Sequence, residues 1–201
     1  MSDLKINFIG DSHSVLTFGQ TILKSLDVLA PIHFLAFSGL KLQHLVHSQN
    51  QAKDLQISNF EKQPGMTGHL SKDPLSLGKS FRINSAEILI VALGTNDIVE
   101  YAVSQKSPAF LKSAIENQLK QIQVKNKIYI EPPLLAIDIN SNIRQVIIET
   151  VRDFNFTVIL NDRFRADQSD GIHMKKEMAL DFGNYVSKEL EGLLKLIFPH
   201  H

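Results

Sequence analysis

The chain has 201 residues, 43% hydrophobic and 21% charged, and its 21 Lys plus Arg balance 21 Asp plus Glu to leave no formal net charge. That length can bury one sizeable core, so a single domain over residues 1–201 is expected. The charge balance and the lack of any Lys/Arg run exclude a dominant phosphate-binding surface, and no nucleic-acid partner is expected. With no cysteine, disulfide frameworks, thiolate metal sites and cysteine nucleophiles are excluded.

The first residues, "MSDLKINFIG", lack the apolar stretch of a signal peptide and run almost at once into a strand pattern. No window reaches the length of a membrane-spanning helix. The sequence therefore reads as that of a cytoplasmic protein, exported only if a leader once preceded it.

In chain order, short apolar runs alternate with helical stretches. The runs are "KINFI" (5–9), "IHFLAF" (32–37), "EILIVAL" (87–93), "KIYIE" (127–131) and "FTVIL" (156–160). Each is nearly continuous in apolar character, as strands covered on both faces are. Between the second and third runs, "SNFEKQPGMTGHLSKDPLSLGKSF" (58–81) holds three glycines and two prolines without a sustained period. It reads as an irregular insertion, and Phe60, Met66, Leu70, Leu75 and Leu77 could line a groove or anchor the loop. Further on, Leu111, Ile115, Leu119 and Ile122 share one helical face, as do Ile143, Ile147, Thr150 and Phe154. The longest stripe runs from Met178 through Phe182, Val186, Leu190 and Leu193 to Ile197. Five strand–helix alternations predict an α/β three-layer α/β/α sandwich on a five-stranded parallel sheet with right-handed crossovers.

In such a sheet, ligands bind beyond the carboxyl ends of the strands. The five ends carry Gly10-Asp11-Ser12-His13-Ser14, Ser38-Gly39, Gly94-Thr95-Asn96-Asp97, Glu131-Pro132-Pro133 and, after a polar loop, Asp170-Gly171-Ile172-His173. These residue types meet one chemical need. A serine hydroxyl becomes a nucleophile when an imidazole takes its proton, and a carboxylate fixes the tautomer of that imidazole. Ser12, His173 and Asp170 supply the three types, and Gly171 permits a tight bend between acid and base. The backbone N–H groups of Ser12 and Gly39 and the side-chain amide of Asn96 could hold a developing oxyanion.

Taken together and in order, "GDSHS", "SG", "GTND" and "DGIH" resemble the four sequence blocks of the SGNH hydrolase superfamily, the GDSL-like esterases and lipases. The resemblance spans residues 8 to 173. It implies a flavodoxin-like α/β/α fold and hydrolysis of carboxylic esters through an acyl-enzyme, without metal or organic cofactor. Carried over position by position, it makes Ser12 the nucleophile, Gly39 and Asn96 oxyanion donors with the Ser12 amide, Asp170 the orienting acid and His173 the base. One departure is His13, where the motif commonly has an aliphatic residue. A histidine there resembles some members that modify sugar O-acetyl groups and marks His13 as a candidate substrate contact.

Each block alone has a plainer reading. "GDSHS" could be a helix cap, and "GTND" and "DGIH" ordinary turns. Asp11 is expected to cap or brace its loop, and Asp97 to hold the Asn96 turn. Asp162 and Asp167 rival Asp170, but their spacing to His173 is longer. His33 reads as a core histidine, His44 and His47 lack the carboxylate pattern of a metal site, and His69 is a second candidate substrate contact. The first strand end lacks G-x-G-x-x-G, and no Walker sequence occurs, against a nucleotide- or flavin-binding module. The third lacks the phosphorylatable Asp of a receiver-type signalling domain. The expected substrate is a short-acyl ester, O-acetyl groups foremost and carbohydrate as their carrier. The alternatives are a lipase, lysophospholipase or thioesterase for longer chains, acyl transfer to an alcohol, and an SGNH-like module that binds without cleaving.

Overall fold

Strand β1 (Ile6–Gly10) is buried at every position and lies at the centre of a seven-stranded sheet of order β4-β3-β2-β1-β5-β6-β7. The computed structural model describes residues 5–25, 32–46, 57–62, 69–70, 82–137 and 142–199. The five apolar runs form β1, β2 (Ile32–Phe37), β5 (Ile88–Ala92), β6 (Asn126–Ile130) and β7 (Phe156–Ile159), all parallel. The two remaining strands, β3 (Ile57–Lys62) and β4 (His69–Leu70), extend the edge in antiparallel sense. The expected irregularity of 58–81 is thus corrected in part: "ISNFEK" pairs along the whole of β2, from Ile32 against Lys62 to Phe37 against Ile57. With two apolar residues in six and only the two-residue β4 beyond it, it lacks the continuous apolar run of a doubly covered strand. Apart from β4, the rest of that stretch lies outside the described residues.

The helices are α1 (Ser12–Val15), α2 (Thr17–Ser25), α3 (Thr95–Ser104), α4 (Pro108–Leu119), α5 (Ile143–Asp153) and α6 (Lys176–Ile197). Successive strand residues face opposite sides, so the sheet supplies two cores. On one side Phe8, Phe34 and Ile90 pack against Phe18 and Ile22 of α2 and Phe182 and Val186 of α6. On the other, Ile9, Leu35, Leu89 and Val91 pack against Ile98, Leu111, Ile115 and Ile147 from α3, α4 and α5. The result is three layers. Stacked pairs Phe8–Phe34 (4.6 Å between centroids) and Phe18–Phe182 (4.7 Å) add aromatic contact to simple burial.

Among the five parallel strands, chain direction reverses across the sheet between β1 and β5, the switch point where α/β sheets open a crevice. Gly10 pairs with Ala36 on one side and Ala92 on the other. Three strand ends are therefore level, and the turns after them share one rim.

The contact between α2 and α6 is close. A Cβ on Gly183 would lie 2.7 Å from Cβ of Thr21, whose hydroxyl is held 2.7 Å from the Thr17 carbonyl oxygen. A β-branched side chain fixed in this way cannot swing aside. Gly183→Val should lower the unfolding free energy by about 1–3 kcal/mol through overpacking. Urea unfolding followed by circular dichroism reads this directly, and an unchanged midpoint would show that the helices have room to spare.

Candidate active site

The turn after β1 is built around Asp11. Its backbone N–H donates to the Ala92 carbonyl (3.3 Å), tying the turn to the end of β5. Its Oδ1 accepts from the His13 N–H (3.1 Å) and caps α1. Ser12 is the first residue of that helix, where backbone N–H groups have no intrahelical acceptor. Asp11 caps the helix as expected, and the candidate nucleophile Ser12, half-buried, is the next residue. Burial pushes the Asp11 carboxyl up to about 7, against the pull of the His13 amide and the neighbouring Thr95 hydroxyl.

The turn before α6 brings the imidazole. Asp170 Oδ1 accepts from the backbone N–H groups of both Ile172 and His173, each at 2.9 Å. Gly171, at φ +67°, makes the left-handed bend that aims those amides back at the carboxylate. Asp170 Oδ2 lies 2.7 Å from His173 Nδ1, and His173 Nε2 lies 3.3 Å from Ser12 Oγ. The amide of His173, then its ring, then the amide of Ile172 hold Asp170 below the usual carboxylate range. An ionised Asp170 places the ring proton on Nδ1 and leaves Nε2 free to accept from the serine. The three side chains thus form one hydrogen-bonded row, with residues 12 and 173 joined across the fold.

The rival acids do other work. Asp167 Oδ1 accepts from the Lys175 N–H, and the backbone N–H groups of Asp167 and Gln168 donate to the His173 carbonyl at 3.2 and 3.0 Å. Asp162 is exposed. Of the three carboxylates, Asp170 reaches the ring.

The second and third blocks meet through Asn96 and Asp97. Asn96 Nδ2 donates to the Leu40 carbonyl (3.0 Å), leaving its second amide hydrogen for another acceptor. Buried Asp97 accepts from the backbone N–H of Leu42 (2.7 Å) and of Gln43 (3.2 Å). Its carboxylate therefore fastens the loop carrying Gly39 to the start of α3. Gly39 stands in the left-handed region at φ +79° with open space where a Cβ would be. Asp97 does more than hold its own turn.

Two expected substrate contacts are corrected. His13 is turned inward at 6% exposure, its ring 5.3 Å from that of His173. Burial pulls its imidazole down to about 4, so it is neutral. It supports the site from behind and presents no open face to a substrate. His69 pairs with Glu61, which pairs with His33, which pairs with Asn7. It therefore stands level with the amino end of β1 and three strands away, roughly 14 Å in the sheet plane at the usual strand spacing. That position is off the rim.

A third group was not singled out from the sequence. Glu131, 4% exposed, meets Arg144 Nη1 at 2.9 Å and accepts from the Asn161 N–H at 2.7 Å. Arg144 also donates to the carbonyls of Pro132 (2.9 Å) and Pro133 (2.6 Å). The cluster fixes the turn after β6 against the one after β7. Its only sequence signal is an acid directly after a strand, because its partners lie 13 and 30 residues away.

Among the described residues, no group of three or more His, Asp or Glu is placed to hold a metal ion. No helix among them is long and apolar enough to cross a membrane.

The arrangement can move a proton from a serine hydroxyl to an imidazole backed by a carboxylate. Neither a family model nor a curated protein matches the sequence. Solved structures do. The lipase/acylhydrolase from Enterococcus faecalis is 16% identical, covering 94% of this chain and 96% of its own, with a TM-score of 0.59. A member of the lipolytic protein G-D-S-L family from Veillonella parvula DSM 2008 is 13% identical over 93% of this chain and 97% of its own, with a TM-score of 0.52. This chain shares their fold.

Burial raises the Asp97 carboxyl to about 7, against the Leu42 and Gln43 amides. As pH climbs from 3.8, the unfolded chain gives up this proton first, while the native state keeps it to about 7. The unfolded state then binds fewer protons, so this group lowers stability across that window. In Asp97→Asn the decline should be shallower than in wild type. Urea unfolding at a series of pH values measures both slopes, and equal slopes would show that Asp97 ionises normally.

Proposed function

We propose that the chain is a serine hydrolase that cleaves carboxylic esters through an acyl-enzyme. The observation that carries this reading is the unbroken row Ser12–His173–Asp170, at 3.3 and 2.7 Å. The shared fold and the ordered blocks in the sequence support it.

In this reading Ser12 Oγ attacks the ester carbonyl carbon as its proton passes to His173 Nε2. The carbonyl π electrons move to oxygen, and the N–H groups of Ser12 and Gly39 with Asn96 Nδ2 stabilise that charge. The bond to Leu40 orients the Asn96 amide in advance, so little reorganisation accompanies charge development. The intermediate collapses with loss of the alcohol, which takes the proton from His173. Water, deprotonated by the same imidazole, then attacks the acyl-enzyme, and His173 hands that proton to Ser12 Oγ as the bond to the acyl carbon breaks and the acid leaves. Asp170 stays ionised throughout and stabilises the imidazolium.

Short-acyl esters, O-acetyl groups foremost, suit a rim made of Ser38, Gly39 and Gly94. Carbohydrate as the carrier stands without His13, which faces inward. A second reading, longer acyl chains, is favoured by Leu16, 55% exposed one residue beyond the nucleophile helix, and by the lipase and lipolytic descriptions of the structural neighbours.

Ser12→Ala should abolish hydrolysis of an aryl acetate with an unchanged melting temperature. Wild-type turnover in that variant would refute the assignment. Asn96→Ala should cost on the order of a hundredfold or more in kcat with KM largely kept. A series of aryl esters from acetyl to long acyl separates the two substrate readings. Rates falling steeply with chain length support acetyl esters, and rising rates support the longer-chain alternative.

A further inference from the structure

Directly behind the nucleophile turn lies a cavity of about 10 Å³, lined among others by Asp11, His13, Ser14 and Thr95. Each of these four contributes a buried side-chain atom without a hydrogen bond of good geometry: Asp11 Oδ2, His13 Nε2, Ser14 Oγ and Thr95 Oγ1, the Thr95 hydroxyl standing close enough to the Asp11 carboxyl to favour its ionised form. An unsatisfied buried polar atom is costly, so four around one small space are not left by accident of packing. The volume is that of a single water molecule. Gly10 makes room for one member: a Cβ there would lie 2.1 Å from Ser14 Oγ.

The donor count matches as well. His13 Nε2 is the unpartnered ring nitrogen, and the Ile172 backbone beside the ring favours a proton on Nδ1, which makes Nε2 an acceptor. Asp11 Oδ2 is a second acceptor once the carboxyl ionises, near pH 7. The hydroxyls of Ser14 and Thr95 are two donors. Two acceptors and two donors are the complement of a water's two hydrogens and two lone pairs.

We propose that Asp11, His13, Ser14 and Thr95 form a binding site for one ordered water molecule, and that Thr95 acts through this water as a positioning residue for Ser12. The water donates to Asp11 Oδ2 and His13 Nε2 and accepts from Ser14 and Thr95. It joins α1, which carries the nucleophile, to the first residue of α3, next to Asn96. Through His13 it also reaches the His173 turn, whose ring His13 touches at 5.3 Å. The three turns are thereby locked from behind, on the side away from substrate. The positioning role rests on the esterase reading, whereas the water site stands without it.

The test is a crystal structure of the wild-type protein at a resolution that shows ordered solvent, with kinetics of Thr95→Val, Thr95→Ser and Ser12→Ala on an aryl acetate. A solvent peak within about 2.6–3.2 Å of all four atoms is expected. Thr95→Val, which keeps the shape and loses the donor, should lower kcat about tenfold with KM within about twofold, since a small displacement of the nucleophile is felt in the chemical step. Thr95→Ser should restore most of that loss. A cavity without such a peak, or with Asp11 bonded directly to Ser14 or Thr95, overturns the site. Full kcat in Thr95→Val overturns the positioning role. Full activity in Ser12→Ala instead refutes the esterase reading and leaves the solvent peak to decide the water site.

Discussion

The parallel ladder that levels β2, β1 and β5 is the constraint from which the site follows. Backbone hydrogen bonds pair Gly10 with Ala36 and with Ala92, so three chain segments far apart in sequence leave the sheet at one height. Side chains on both faces of these strands are buried in two separate cores, and a slip of one residue would send each set to the wrong core. Register is therefore enforced by burial over the five parallel strands. The turns inherit that alignment without adding to it.

Onto this level rim the polar residues add local fastenings, each between two turns. Asp11 ties the first turn to the end of β5, Asn96 and Asp97 tie the start of α3 to the 40–43 loop, and Glu131 with Arg144 ties the turn after β6 to the one after β7. Asp97 and Glu131 fasten through buried carboxylates, costly to bury unless bonded, so these two fastenings are also obligations. A turn that drifted would strand a charge away from water. The polar residues around the proposed catalytic row thus act as stops.

Much of this was legible in the sequence because it depends on local periodicity. Ile88–Ala92 and Phe156–Ile159 announce themselves as continuous apolar runs, and α6 follows from Met178, Phe182, Val186 and Leu190 at helical spacing. Asp170, Gly171 and His173 are close enough in sequence for their bond to be anticipated from the bend alone. What could not be read depends on pairing and on direction. The strand at Ile57–Lys62 has the polar composition of a loop and is a strand because β2 offers it an edge. His69 was placed by residue type, whereas its location comes from an antiparallel register that no periodicity encodes. His13 sits beside the nucleophile in sequence and still points the opposite way, since α1 turns successive side chains to different sides of its axis. Glu131 looked like a strand terminus because Arg144 and Asn161 are remote.

Asp170 and His173 ride on one four-residue bend, with the carboxylate bound to both the amide and the ring of the same histidine. That pair moves as a single piece. Ser12 is just as firmly set on its own piece, the capped end of β1. The 3.3 Å gap between Oγ and Nε2 is consequently a joint between two separately fastened pieces. In the proposed reaction, the approach of hydroxyl to imidazole is set by how these two pieces sit against each other.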